Sequence, residues 1–157
     1  ILTRWPLSQG HRVSLRLKQK KPRGAVLAVV ETPEGPLHLV NCHLGLAERE
    51  RHWQVGHLLS HRLFRESLHL PTLIAGDLND WRSTLAGADL RDHEFEHITH
   101  PISRFRSFPA WLPAGSLDKA FYRGAVAVRR AHVVHSALAR SASDHLPLVV
   151  DFHLGSE

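Results

Sequence analysis

The sequence has one cysteine, one tyrosine and no methionine among its 157 residues. A lone cysteine, Cys42, can form no internal disulfide, so a disulfide-stapled mini-protein is excluded and a reducing compartment is favoured. No apolar run approaches the roughly 20 residues that cross a bilayer as a helix. The opening ILTRWPLSQG also lacks the charged-then-apolar order of a secretory signal. No membrane span is therefore expected, and the cytoplasm is the expected location. The missing methionine extends to position 1, so either an upstream segment has been removed or the chain is a piece of a longer one.

What is present is ordinary for a folded domain. Hydrophobic residues make up 43% and charged residues 22%, values that exclude intrinsic disorder and a collagen-like chain. The length suits a single domain over residues 1–157. The net charge is +5 with histidine neutral, and 14 histidines add to it in mild acid. Nucleic acid or phosphate-bearing ligands fit that balance, and so does solubility alone.

Residues 11–17 (HRVSLRL) alternate polar and apolar, a basic stretch KQKKPRG interrupts, and Ala25 to Val30 resumes as a β-branched run. Turn residues at 31–35 and a second alternation over 36–42 make 24–42 a hairpin that delivers His43 to a sheet edge. From Ala47 to about Ser67, apolar residues recur at spacings of three to five, which predicts one amphipathic helix. A short apolar strand, residues 72–75, runs into Gly76-Asp77-Leu78-Asn79-Asp80. Residues 81–116 read as long loops with short helical turns, and three further strands are expected over 116–122, 126–135 and 146–153. Six or more strands against one clear helix favour an α/β fold, a β-rich sandwich layered with helices.

Four segments place polar residues at the ends of these apolar strands: Asn41-Cys42-His43, Asp77-Leu78-Asn79, Leu117-Asp118-Lys119 and Ser143-Asp144-His145. Any one of them alone reads as turn chemistry. Together they offer carboxylates and an amide oxygen, a hard-oxygen set suited to Mg²⁺, Mn²⁺ or Ca²⁺, with two imidazoles for proton transfer.

The ordered set NCHLG, ERHWQ (Glu50 to Gln54), LIAGDLND, LDKAFYRG and SDHLPLVVDF resembles the endonuclease/exonuclease/phosphatase superfamily, and SFPAW (Ser107 to Trp111) resembles its small bacterial members. The resemblance implies a four-layer α-β-β-α sandwich of two mainly antiparallel sheets, here partial. It implies a phosphoester hydrolase that uses Mg²⁺ or Mn²⁺, acting on nucleic acid, a phospholipid head group or a sugar phosphate. Carried over by position, His43 would be held by Asp118 and protonate the leaving oxygen. Asp77 would bind metal or align water, and Asn79 would orient the phosphate. Asp144 would be a metal ligand, and His145 would contact the phosphate or share in proton transfer. The implied metal set is Asp77, Asn79 and Asp144.

The family's first strands, one bearing an Asn and one ending in a metal-binding Glu, lie upstream of what Ile1 to Pro6 resembles. Their absence would weaken the cation site and free sheet edges for a second copy or another chain. A non-catalytic binding or assembly module is the alternative.

Other patterns compete. His93-Glu94-Phe95-Glu96-His97 matches HExxH, which on a helix would present two imidazoles to zinc, with His100 as a third ligand. His57 and His61 are spaced to share one helix face. Lys18, Lys20, Lys21 and Arg23 form a basic turn that is either solvated or in contact with phosphate. Trp53 reads as helix packing, and Phe108 and Trp111 as either substrate-stacking or loop-anchoring groups. Cys42 and His43, adjacent in a strand, point to opposite faces, which argues against a Cys-His nucleophile.

Overall fold

A computed structural model describes residues 1–87 and 89–155. Its central element is a six-stranded sheet built from β1 (Leu7–Ser14), β2 (Gly24–Thr32), β3 (Gly35–His43), β4 (Thr72–Asp77), β5 (Glu96–His97) and β6 (Asp118–Arg123). Their spatial order is β1-β2-β3-β4-β6-β5. The 24–42 hairpin forms as expected, with Gly35 opposite Thr32 and His43 opposite Gly24. Only β3 and β4 run parallel, because the crossover between them carries α1 (Glu48–Ser60) and α2 (Arg62–Arg65) over one face of the sheet. A second, two-stranded antiparallel sheet joins β7 (Val126–Val133) to β8 (Leu148–Leu154). The result is an α/β architecture of two mainly antiparallel sheets.

Strand alternation assigns the two faces of the large sheet. Val40 and Cys42 of β3, Ile74 of β4 and Phe121 of β6 point toward α1 and share a core with Val55, Leu58 and Leu59. The opposite-parity residues Asn41, Leu73, Ala75, Asp118 and Ala120 line a cleft of about 560 Å³ facing His145, Leu146, Leu148 and Val150. A single residue step, half the strand period, thus separates a residue that builds the core from one that faces the second sheet.

Three expectations change. The helix predicted over 47–67 divides at His61, whose extended backbone ends α1 and whose ring accepts the Leu63 N–H to begin α2, carrying Phe64 into the core. β1 starts four residues earlier than the alternation suggested. A helix not foreseen, α4 (Ala137–Ala142), follows Ser136, whose side chain accepts the Ala139 N–H as an N-cap. Residues 81–116 are irregular as expected, with α3 (Thr84–Gly87), two single 3-10 turns and β5 within them. No helix among the described residues is long and apolar enough to cross a membrane.

Candidate active site

The candidate residues sit where β3 and β4 end and β6 begins. Asp77 and Asp118 are directly paired across β4 and β6, so the ladder brings the two carboxylates side by side on the cleft face. Gly76 makes this approach possible: a Cβ there would lie 2.0 Å from the Cys42 carbonyl oxygen, so no other residue fits without moving β3. Leu44 then donates its N–H to the Asp77 carbonyl at 3.0 Å, tying the two strand ends together.

Asp118 holds His145, not His43. His145 Nδ1 lies 2.7 Å from Asp118 Oδ2, and the Ser107 hydroxyl donates to the same oxygen. His43 instead turns Nε2 toward Asp77 Oδ2 at 3.3 Å. The expected His43–Asp118 pair is therefore corrected. Asp77 lies on the strand between β3 and β6 and takes the β3 histidine, while Asp118 is reached from the loop that enters β8. The second ring nitrogen of His145, Nε2, is 4.0 Å from Asp77 Oδ2, so one carboxylate oxygen faces both imidazoles. Asp77 Oδ1 accepts the Asn79 N–H at 3.0 Å. Asn79, buried and at positive φ, donates its side-chain amide to the Leu44 carbonyl at 2.9 Å. Asp144 is exposed at the margin of this group, with its carbonyl accepting the Ala110 N–H.

The two imidazoles are tuned in opposite directions. Partial burial disfavours the charged ring of His145. The hydrogen bond and charge of Asp118, joined by Asp77 and Asp144, outweigh that penalty and raise its pKa above the ordinary histidine value. His43 is lowered, first by partial dehydration and then by the nearby cations Arg23, Lys21 and His145, against the pull of Asp77. The basic turn thus reaches the site electrostatically, although a larger hollow of about 950 Å³ beneath it, bordered by Lys18, Lys20, Arg49 and Trp53, holds none of the six candidates.

Nothing in the sequence marks Lys119 or Asp80 for a supporting role, while Phe108 reads there as either substrate-stacking or loop-anchoring. Lys119 is fully buried on the core face, donates to Ser83 Oγ at 2.8 Å and has its pKa lowered chiefly by burial. Asp80, also fully buried, accepts from Thr84 and from the Leu85 N–H, with Arg51 3.9 Å away. Phe108 packs its ring 4.8 Å from that of His145, an anchoring contact for the histidine. Lys119 stands between Asp118 and Ala120, and neither neighbour signals that the lysine is buried.

The competing patterns dissolve. Residues 93–97 form no helix: His93 ends a 3-10 turn, Glu94 is left-handed, and His97 lies in β5 stacked on Phe121. Such a backbone cannot present the two imidazoles of an HExxH zinc site, which corrects that reading. His57 stacks on Trp53, with His61 at its edge. Cys42 is buried, and burial pushes its thiol up to about 12, which leaves no thiolate for nucleophilic chemistry.

Among the described residues, no three His, Cys, Asp or Glu side chains gather where they could hold a metal ion. A closed protein cage for a cation is therefore not built from them. The carboxylates of Asp77 and Asp144 and the amide oxygen of Asn79 are all hard donors, and together they would suit a cation such as Mg²⁺ or Mn²⁺.

The model of the Endonuclease/Exonuclease/phosphatase family matches residues 1–145. The YbhP protein of Escherichia coli strain K12 is 28% identical over 164 residues, covering 98% of this chain. The chain spans 62% of the length of that relative. Among solved structures, the mannosyl-6-phosphatase Bt3783 of Bacteroides thetaiotaomicron superposes with a TM-score of 0.76 at 15% identity, covering 96% of this chain and 67% of that one. The human Nocturnin catalytic domain with bound sulfate superposes with a TM-score of 0.71 at 23% identity, covering 96% and 60%. At these identities the superpositions bear on the fold alone.

Proposed function

The chain belongs to the endonuclease/exonuclease/phosphatase family, and on that premise we propose that it works as one domain that hydrolyses a phosphate ester. The observation that carries this reading is the 2.7 Å bond from Asp118 to His145, whose other nitrogen remains directed at the carboxylate of Asp77. A histidine whose charged form is favoured by such a partner is suited to deliver a proton to a leaving oxygen. His145 therefore takes the acid role first expected of His43. Asp118 and Ser107 orient it from behind, and Phe108 limits its motion.

Asp77 is the group placed to align an attacking water or accept its proton. Its Oδ1 is fixed by the backbone of Asn79, which leaves Oδ2 as the working atom. His43, half exposed and facing the same oxygen, is suited to contact phosphate oxygens, with Arg23 and Lys21 adding positive potential. A divalent cation held by Asp77, Asp144 and the amide oxygen of Asn79 would neutralise phosphate charge when bound.

The test is release of p-nitrophenol from bis-p-nitrophenyl phosphate with added Mg²⁺ or Mn²⁺, comparing the unaltered chain with His145→Ala. The reading expects a rate that the substitution abolishes. Equal background rates from both proteins would leave the non-catalytic binding module as the surviving description.

A further inference from the structure

Beside His145 the surface changes character. Trp111, Leu112 and Leu138 are 73%, 61% and 77% exposed, three of the eleven large apolar side chains left exposed among the described residues. They come from two segments, the loop before β6 and the first turn of α4. The residues next to them, Ala110 and Ala139, are buried in the same small core with Phe105, Val133 and Leu146. Arg140 reaches from α4 to the Trp111 carbonyl at 3.5 Å and links the segments directly. The patch is also joined to the active site, because Phe108 of the same loop packs on His145 and the Ala110 N–H donates to the Asp144 carbonyl at 2.7 Å.

The charge around this patch is predominantly positive, with the exposed Asp144, whose carbonyl accepts the Ala110 N–H, as the acidic exception. From His97 to Ser143 the only carboxylate is Asp118, which is occupied with His145 and Ser107. Arg104, Arg106 and Arg140 are exposed in the same two segments. An exposed apolar cluster with Arg140 bonded to it and Arg104 and Arg106 on its own loop suits an anionic surface with an apolar interior. Two of the three exposed side chains are leucines, which offer no flat face for stacking on a nucleotide base, whereas stacking needs aromatic rings. Trp at the level of the head groups with aliphatic neighbours inserted beside it is the arrangement an acyl interface rewards.

The geometry points to a docking surface for an anionic phospholipid membrane, formed by Trp111, Leu112 and Leu138 with Arg104, Arg106 and Arg140, that presents the His145 rim to a lipid phosphate. The docking stands on the patch alone. Its use in catalysis rests on the phosphoesterase reading above.

Co-sedimentation of the full chain with vesicles tests it, using phosphatidylcholine alone and phosphatidylcholine with one quarter phosphatidylglycerol. Binding is expected to the anionic vesicles, at least about tenfold tighter than to the neutral ones. The triple variant Trp111→Ser, Leu112→Ser, Leu138→Ser should lose at least about tenfold in vesicle affinity while keeping its circular dichroism and its rate on bis-p-nitrophenyl phosphate. Arg104→Gln with Arg106→Gln should remove the preference for the anionic lipid and leave the residual apolar binding.

Three results would overturn the docking surface. They are no binding of the unaltered chain to anionic vesicles, equal binding by the triple variant, or a loss of single-stranded oligonucleotide affinity in that variant as large as its loss for vesicles. The last would make the patch a stacking platform. Vesicle binding without any hydrolysis would remove the phosphoesterase reading and leave the docking surface. Hydrolysis without vesicle binding would do the reverse.

Discussion

Strands β2 and β8 have comparably apolar sequences and very different surroundings. β2 (GAVLAVVET) buries five of its nine residues, whereas β8 (LVVDFHL) buries none of its seven. β2 lies between two partner strands with α1 across one face, while β8 has only β7 beside it. Burial in a sheet is therefore set by neighbours more than by the strand's own side chains. The consequence for the site is an unequal pair of supports. Asp77 and Asp118 stand on strands of the well-covered sheet, and His145 stands in the segment that enters the poorly covered one. What aligns them is a short list of cross-sheet contacts: the Asp118–His145 bond, the Ala110-to-Asp144 and Leu146-to-Ser107 backbone bonds, and the small core around Phe105.

The most severe break in that alignment is Asp118→Asn. Loss of the charge that holds His145 and favours its protonated form should lower hydrolysis of bis-p-nitrophenyl phosphate by about 10²- to 10⁴-fold. It should also move the alkaline limb of the pH-rate profile to lower pH, since Asp118 is the leading attraction that raises the His145 pKa. The unaltered protein should lose activity only as pH rises past that raised value. An unshifted limb would separate His145 from the proton-transfer step.

The contrast between the sheets can be measured as stability. Phe121→Ala, at a fully buried position of β6, should cost about 3–5 kcal/mol. Val150→Ala, half-buried in β8, should cost roughly 1 kcal/mol. Urea unfolding of both variants makes the comparison, and equal losses would show that the second sheet is as closely packed as the first.

Acid should act on the large sheet first. His38 in β3 is buried against Phe64, and burial lowers its pKa to about 4. The unfolded chain takes up this proton near the ordinary value of 6.5 and the folded chain does not. Stability is therefore intact above about pH 6.5 and declines as pH falls toward 4, by about 3 kcal/mol for this residue. His97, lowered to about 4 mainly by burial, adds to the loss in the same window. His145 has the opposite sign, since its stabilising contribution is complete below pH 6.5 and fades as pH rises through its raised value. Denaturation midpoints at pH 7 and pH 4.5 should converge in His38→Leu relative to the unaltered chain. No convergence would rule out His38 as a source of the acid loss.

Much of this was legible from residue order. Alternation located the 24–42 hairpin and the strand-end positions of His43, Asp77 and Asp118, and period-2 parity separated Cys42 from His43. Three things were not legible, each for a physical reason. Whether Asp118 serves His43 or His145 depends on the packing of one sheet against another, which no local periodicity encodes. The division of α1 and α2 at His61 follows from the path that takes Phe64 into the core, although nothing in the sequence there breaks a helix. Helix α4 is short, and its one local signal is the Ser136 cap ahead of Ala-Leu-Ala. The buried Lys119 was hidden by type, because a lysine between strand residues is ordinarily solvated.

The smallest expected effect concerns the point where the β2–β3 turn touches β8. Glu34 receives the Leu154 N–H at 2.8 Å and faces His153 Nδ1 at 2.9 Å, and these contacts lower its pKa, the backbone bond contributing most. The stabilising contribution is therefore present above the ordinary carboxylate value and lost as pH falls through the lowered one. Both side chains are nearly half exposed, so water and salt screen the pair. Glu34→Gln should leave the thermal midpoint and the hydrolysis rate unchanged, while amide exchange at Leu154 accelerates by roughly threefold, a change confined to one strand end. Added salt should shrink the difference between the two proteins. Unchanged protection of Leu154 would mean that pairing with Val126 alone secures the end of β8, and that the contacts uniting the two sheets are concentrated around Asp118 and His145.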